Sequence, residues 1–122
     1  MIIGIGVDIV DVARFERLAE RTPRILERTL TARELRDEDG SMRTFESLAA
    51  RFAAKEAVAK ALGAPSGLAW HDCEVVVADD GAPSLQVRAT VAERARSLGI
   101  GTWHLSLSHD GGKAIAFVIA SA

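Results

Sequence analysis

Glu56 is the residue of this 122-residue chain whose position most needs a chemical explanation. It lies in Thr44–Leu62, a segment rich in Ala, free of internal Gly and Pro and closed by Gly63, which together predict a long helix. At 100° per residue, Phe45, Ala49, Phe52, Glu56 and Gly63 fall within about 40° of one line, so a carboxylate interrupts the stripe that should face the core. An unpaired carboxylate there is costly or titrates upward, and some cation must offset it. Lys60, four residues on, is one partner on the same face. A swing of Glu56 to the rim, or a pair with a nearby Arg, is the plain alternative.

Asp8 presents the same conflict on a predicted strand, Met1–Val10. There Ile3, Ile5, Val7 and Ile9 share one face, and Gly4, Gly6 and Asp8 the other. Asp is disfavoured in strands, and capping of the next helix is its ordinary use. Gly4 and Gly6, however, remove side chains and let another element approach the backbone. If the strand packs on the long helix, Asp8 and Glu56 converge. Two convergent carboxylates with open positions suit a hard divalent cation that keeps waters and bridges to phosphates, with Mg²⁺ the first choice.

Two further groups stand out. On Trp103–Asp110, Trp103, Leu105, Leu107 and His109 share one strand face, and His109 reads as either a rim histidine or a site residue. Arg14, Arg17, Arg21, Arg24 and Arg28 recur at spacings of 3, 4, 3 and 4. Arg14, Arg17 and Arg21 share a helical face, expected to lie away from Phe15 and Leu18, and Pro23 re-aims the chain before Arg24 and Arg28. No nucleophile elbow, P-loop or HExxH helix is present, which withdraws support from those hydrolases and nucleotide enzymes.

The elements that must hold these groups read clearly. Asp11 is the expected N-cap of a helix that stops near Thr22-Pro23. A short helical piece spans Ile25–Leu30, and Thr31-Ala-Arg-Glu34 has the form of a capping box. Strands are expected at Glu74–Ala78 and Ser84–Arg88. Thr90-Val-Ala-Glu93 offers a second capping box before a helix ending at Gly99. Thr102–His109 and Ala114–Ala120 form a hairpin around Asp110-Gly111-Gly112. The sum is α+β, a single small domain over residues 1–122, with an antiparallel sheet packed against one long helix and several shorter ones.

Composition agrees. The chain is 48% hydrophobic and 26% charged, ordinary for a globular protein, and its net charge of −2 argues against a generic nucleic-acid binder. Its basic groups are chiefly Arg and lie mostly in the first half. The longest apolar run, Met1–Val7, is too short to span a membrane and lacks the form of a signal peptide. The lone Cys73 fits a reducing cytoplasm. With no Tyr and a core of Ala, Val, Leu and Ile, subunit contacts are expected to complete the buried surface.

Gly4-Ile-Gly-Val-Asp8 followed by Arg51-Phe-Ala-Ala-Lys-Glu56-Ala-Val-Ala-Lys60 resembles the two signature motifs of the phosphopantetheinyl transferases. The length and Ser106-Leu-Ser-His109 near the end are similar to the small bacterial group, the holo-acyl-carrier-protein synthases. The resemblance implies transfer of 4′-phosphopantetheine from coenzyme A to a serine of an acidic apo acyl carrier protein, releasing adenosine 3′,5′-bisphosphate. It implies that Asp8 and Glu56 hold Mg²⁺ on the coenzyme A pyrophosphate and that Lys60 lies against the same phosphates. Arg43, Arg51 and His109 would line the coenzyme A pocket, including its 3′-phosphate. Arg14, Arg17 and Arg21 would receive the carrier, and the assembly would be a homotrimer with sites between subunits. The serine proton goes to Glu56, to Asp110 or to a metal-bound hydroxide, and the residues leave all three open.

Two other classes fit parts of the pattern. A different Mg²⁺-dependent phosphodiesterase or phosphotransferase would also use carboxylates with a Lys. A non-catalytic docking module for an acidic partner would keep the Arg face but has no use for Asp8 and Glu56 on apolar faces.

Overall fold

A computed structural model describes residues 1–122. The chain runs β1 (Ile2–Asp11), α1 (Val12–Arg21), α2 (Arg24–Thr29), α3 (Ala32–Leu35), α4 (Phe45–Ala61), a single 3-10 turn at Trp70–Asp72, β2 (Cys73–Val77), β3 (Pro83–Val87), α5 (Ala89–Ser97), β4 (Thr102–Asp110) and β5 (Lys113–Ser121). It is the expected α+β arrangement, with a three-stranded antiparallel sheet in the order β1-β5-β4 and a separate β2-β3 hairpin. No helix is long and apolar enough to cross a membrane.

Helix α4 is the axis of the molecule. Thr44 caps its start by accepting the Ser47 N–H, and Gly63, at φ +83°, turns the chain out of its C-terminal end. Ala53, Ala54, Ala57, Val58 and Ala61 bury its second half against β2, α5 and β5. Leu48, Ala49 and Ala50 bury its first half against Phe15, Leu26 and Leu30. The helix is therefore enclosed on nearly every side, with Glu56 and Phe52 left half-buried on one flank.

Small residues let α4 lie close to the sheet. A Cβ added to Gly4 would stand 2.0 Å from the Ala61 carbonyl oxygen, and one added to Gly6 would stand 1.8 Å from that of Ala57. Side chains there would push helix and strand apart, so this glycine face is the inner face of β1. On β5 the matching inner positions are Ala114, Ala116, Val118 and Ala120, all fully buried. The opposite face of β1 is the apolar one, and it faces outward: Ile5, Val7 and Ile9 are 55%, 46% and 62% exposed. Across the ladder Val7 pairs with Phe117, itself 42% exposed.

Local chemistry follows the sequence closely at most ends. Asp11 accepts the Arg14 N–H as the N-cap of α1, and its other oxygen takes Lys113 at 2.6 Å. That ammonium first, then the Arg14 N–H, hold the Asp11 carboxyl below its ordinary value. The Thr31–Glu34 capping box forms as expected. Gly111 and Gly112 both take positive φ, as a two-residue hairpin turn requires. The second expected capping box does not form. Helix α5 starts two residues earlier, at Ala89 with Arg88 as its N-cap, and the Thr90 hydroxyl donates to Asp72 at 2.7 Å instead of capping the helix. Asp72 also accepts the Thr90 N–H, so a carboxylate from the turn before β2 does the capping work.

Candidate functional site

Asp8 and Glu56 reach one cleft. Asp8 comes from the inner face of β1, brought there by the two-residue period that also places Gly4 and Gly6 inward. Glu56 comes from the flank of α4 that the glycine notch holds against β1. The cleft, of about 800 Å³, is also lined by Arg14, Arg17, Leu18 and Arg21 of α1 and by Phe52 and Lys60 of α4. Phe52 packs between Phe15, tilted at 43° with ring centroids 5.3 Å apart, and Trp70, stacked at 5.4 Å, and so holds α1 beside the carboxylates.

Lys60 donates to Asp8 Oδ1 at 3.0 Å and to the Val7 carbonyl at 2.9 Å. The partner expected on the same helix is thus taken across to β1, because the strand carbonyl and carboxylate together satisfy the ammonium. Glu56 keeps no direct partner. Burial raises its carboxyl above the ordinary value, the Asp8 charge raises it further, and Lys60 offsets only part. Two carboxylates crowded in this way, with room beside them, suit a hard cation that retains waters. The set is all oxygen, with no thiolate or imidazole to favour a softer metal.

The Arg face of α1 corrects one expectation. Leu18 does not lie on the buried side with Phe15; it is 43% exposed and lines the cleft with Arg14, Arg17 and Arg21. Helical spacing carries the signal, since Leu18 lies only about 40° from Arg14 and 60° from Arg21 around the helix. Phe15 and Ala19 make the buried face.

Arg43, Arg51 and His109 lie elsewhere. Arg51 is about 140° from Glu56 around α4 and faces away from the large cleft. It lines two smaller cavities: one of about 320 Å³ with Arg33, Arg36 and Arg43, and one of about 310 Å³ with Glu46, Ser47 and His109. The Arg51 guanidinium is buried; Nη1 donates to the Ser47 carbonyl and hydroxyl, while Nε has no partner, and neither has Arg43 Nε. Arg43 pairs with Asp37 at 2.6 Å. His109 Nδ1 lies 3.3 Å from Glu46 Oε1. Asp110 ends β4 at the exposed hairpin, opposite Lys113.

One buried pair escaped sequence reasoning. Lys55, next to Glu56, is 1% exposed at its side chain and lies 2.7 Å from Glu34 Oε1. Its ammonium also donates to the Trp70 and Cys73 carbonyls, and Glu34 Oε2 accepts the Val75 N–H. Helix α4 is thereby bolted to α3 and β2 one residue from Glu56. The capping-box role of Glu34 concealed this second one, although a Lys among buried alanines was a visible signal. Cys73 takes no chemical part, since burial pushes its thiol to about 12.

Comparison with known proteins adds family evidence. Residues 4–118 match the model of the 4′-phosphopantetheinyl transferase superfamily. A holo-[acyl-carrier-protein] synthase of Salinispora arenicola is 58% identical over 120 residues, covering 98% of each chain. The crystal structure of holo-[acyl-carrier-protein] synthase from Neisseria meningitidis superposes with a TM-score of 0.86 at 32% identity, covering 100% of both chains. The Helicobacter pylori holo-[acyl-carrier-protein] synthase, solved in complex with coenzyme A, gives a TM-score of 0.79 at 34% identity, covering 96% of this chain and 99% of that one.

Proposed function

This chain belongs to the 4′-phosphopantetheinyl transferase superfamily, and from that premise we propose that it moves 4′-phosphopantetheine from coenzyme A to the serine hydroxyl of an apo acyl carrier protein. The observation that carries the reading is the single cleft holding Asp8, Glu56 and Lys60 beside an arginine-lined helix. The carboxylates are where a Mg²⁺–pyrophosphate complex belongs, and the helix is where an acidic protein belongs.

Asp8 and Glu56 would hold the cation. When bound, Mg²⁺ neutralises charge on the pyrophosphate oxygens, the main electrostatic demand of phosphoryl transfer. Lys60, anchored by the Val7 carbonyl and 51% exposed, extends that neutralisation to the phosphate under attack. Glu56, the carboxylate of the pair that Lys60 leaves without a direct partner, accepts the proton of the serine Oγ as the new O–P bond forms and adenosine 3′,5′-bisphosphate departs. Arg14, Arg17 and Arg21 steer the carrier and set its serine at the cleft, with Leu18 as an apolar contact among them.

The remaining anchors, Arg43, Arg51 and His109, sit on the other flank of α4, so one copy does not surround coenzyme A. We assign the second half of each site to a neighbouring copy, in a homotrimer joined through the exposed Ile5, Val7, Ile9 and Phe117 face. Only 27 of 122 residues are buried, and alanines dominate them, which leaves the chain to gain from such contacts. The buried free thiol of Cys73 suits a reducing cytoplasm.

Incubation with coenzyme A, Mg²⁺ and an apo carrier protein should add one 4′-phosphopantetheine by intact mass, while Asp8→Ala adds none and stays folded. A carrier that gains no mass with the wild-type chain, or gains it equally with Asp8→Ala, contradicts the assignment.

A further inference from the structure

The cavity that Arg51 shares with His109 contains a group that works against an anion. Its basic side chains are the buried Arg51 and the exposed His109, and its single carboxylate is Glu46, in the first turn of α4. Glu46 Oε1 lies 3.3 Å from His109 Nδ1, with the two side chains 50% and 59% exposed. At that length and exposure the pair adds little to the fold or to the placing of His109. Arg51 is the opposite case: burial first, and the Arg43 charge second, hold it below the ordinary guanidinium value, and its Nε is unpartnered. Arg51 has no carboxylate within ion-pair distance, and Glu46 is the one carboxylate on the wall of this cavity.

We propose that Glu46 is a built-in competitor for the 3′-phosphate of coenzyme A, occupying His109 when the cavity is free and opposing the phosphate dianion when it is filled. The inference rests on the assignment of Arg51 and His109 to that phosphate. An arriving phosphate gains Arg51 and His109 but must displace Glu46 and then lie beside it. Glu46 thus lowers affinity for 3′-phosphorylated ligands alone, and it does so for the substrate and for the adenosine 3′,5′-bisphosphate product alike. The product is the better reason for such a device, because it keeps the same phosphate after transfer and would otherwise hold the site.

Dissociation constants for coenzyme A, 3′-dephospho-coenzyme A and adenosine 3′,5′-bisphosphate, measured by calorimetry in Mg²⁺ buffer, test this. Glu46→Gln and Glu46→Ala should both tighten coenzyme A and the bisphosphate about fivefold, the effect of removing one screened like charge near a dianion. The dephospho compound should be unaffected, and Glu46→Asp should keep the wild-type ratio. If the wild type prefers coenzyme A to its dephospho form but the Gln and Ala variants leave that ratio unchanged or reduce it, the competitor role is wrong. If the wild type binds both forms equally, the 3′-phosphate does not lie at Arg51 and His109, and the proposal falls with that placement.

Discussion

Asp8 and Glu56 are held close by the backbone, through the glycine notch, and only one of them has a cation of its own. Lys60 satisfies Asp8, so Glu56 carries the cost of the crowding. A carboxyl whose folded value lies above its unfolded one makes the folded chain bind more protons in the interval between the two. Stability from this group therefore falls as pH rises from the ordinary carboxylate value through the raised one. Asp11, Asp39 and Asp72, held low by hydrogen bonds, give the opposite slope in more acid solution, so the difference between wild type and Glu56→Gln isolates Glu56. Without metal, the melting temperature of the wild type should drop below that of Glu56→Gln as pH rises through that interval. The gap should be worth under about 1 kcal/mol, because the group is partly exposed. Mg²⁺ should then raise the melting temperature of the wild type and leave Asp8→Asn and Glu56→Gln unmoved. Equal metal stabilisation of all three would remove the carboxylates from the cation site.

Among the elements, α4 carries the account, and its position depends on a pair of charges that local sequence rules do not reveal. Lys55→Met should destabilise the chain by about 3–5 kcal/mol in denaturant titration, since it leaves Glu34 buried without its cation. Lys55→Met with Glu34→Gln should recover most of that loss; no recovery would mean that the lysine acts through packing alone. The helix itself was legible because Thr44 and Gly63 are local signals, as were Thr31 with Glu34 and the Gly111-Gly112 turn. Thr90 misled because its hydroxyl had a better acceptor, Asp72, eighteen residues away in the chain. The same limit hid the Glu34–Lys55 pair, which only the packing of α3 on α4 brings together. Asp8 and Glu56 could be read from sequence because each broke an apolar pattern on its own element. Arg51 and His109 break no pattern, and only the family motifs singled them out.

For the whole molecule, the apolar outer face of β1 and β5 and the division of the anchors by α4 call for the same solution. In the proposed homotrimer a second copy would cover the exposed Val7 and Phe117 face, which one chain leaves in water, and would supply an Arg51–His109 flank to an Asp8–Glu56 cleft. On that proposal each transfer site would be built from two chains, and two defective chains could make a working one. Asp8→Asn and the double variant Arg51→Gln, His109→Ala, each inactive alone, should be co-expressed with different tags, and the mixed oligomers purified on both. In a trimer that carries both variants, each site draws its cleft from one chain and its anchors from the next, and an intact cleft meets intact anchors once around the ring, so about a third of the sites are intact. Mixed oligomers are predicted to transfer 4′-phosphopantetheine at about that fraction of the wild-type rate, whereas mixed oligomers as inactive as the two parents would show that each chain builds its site alone.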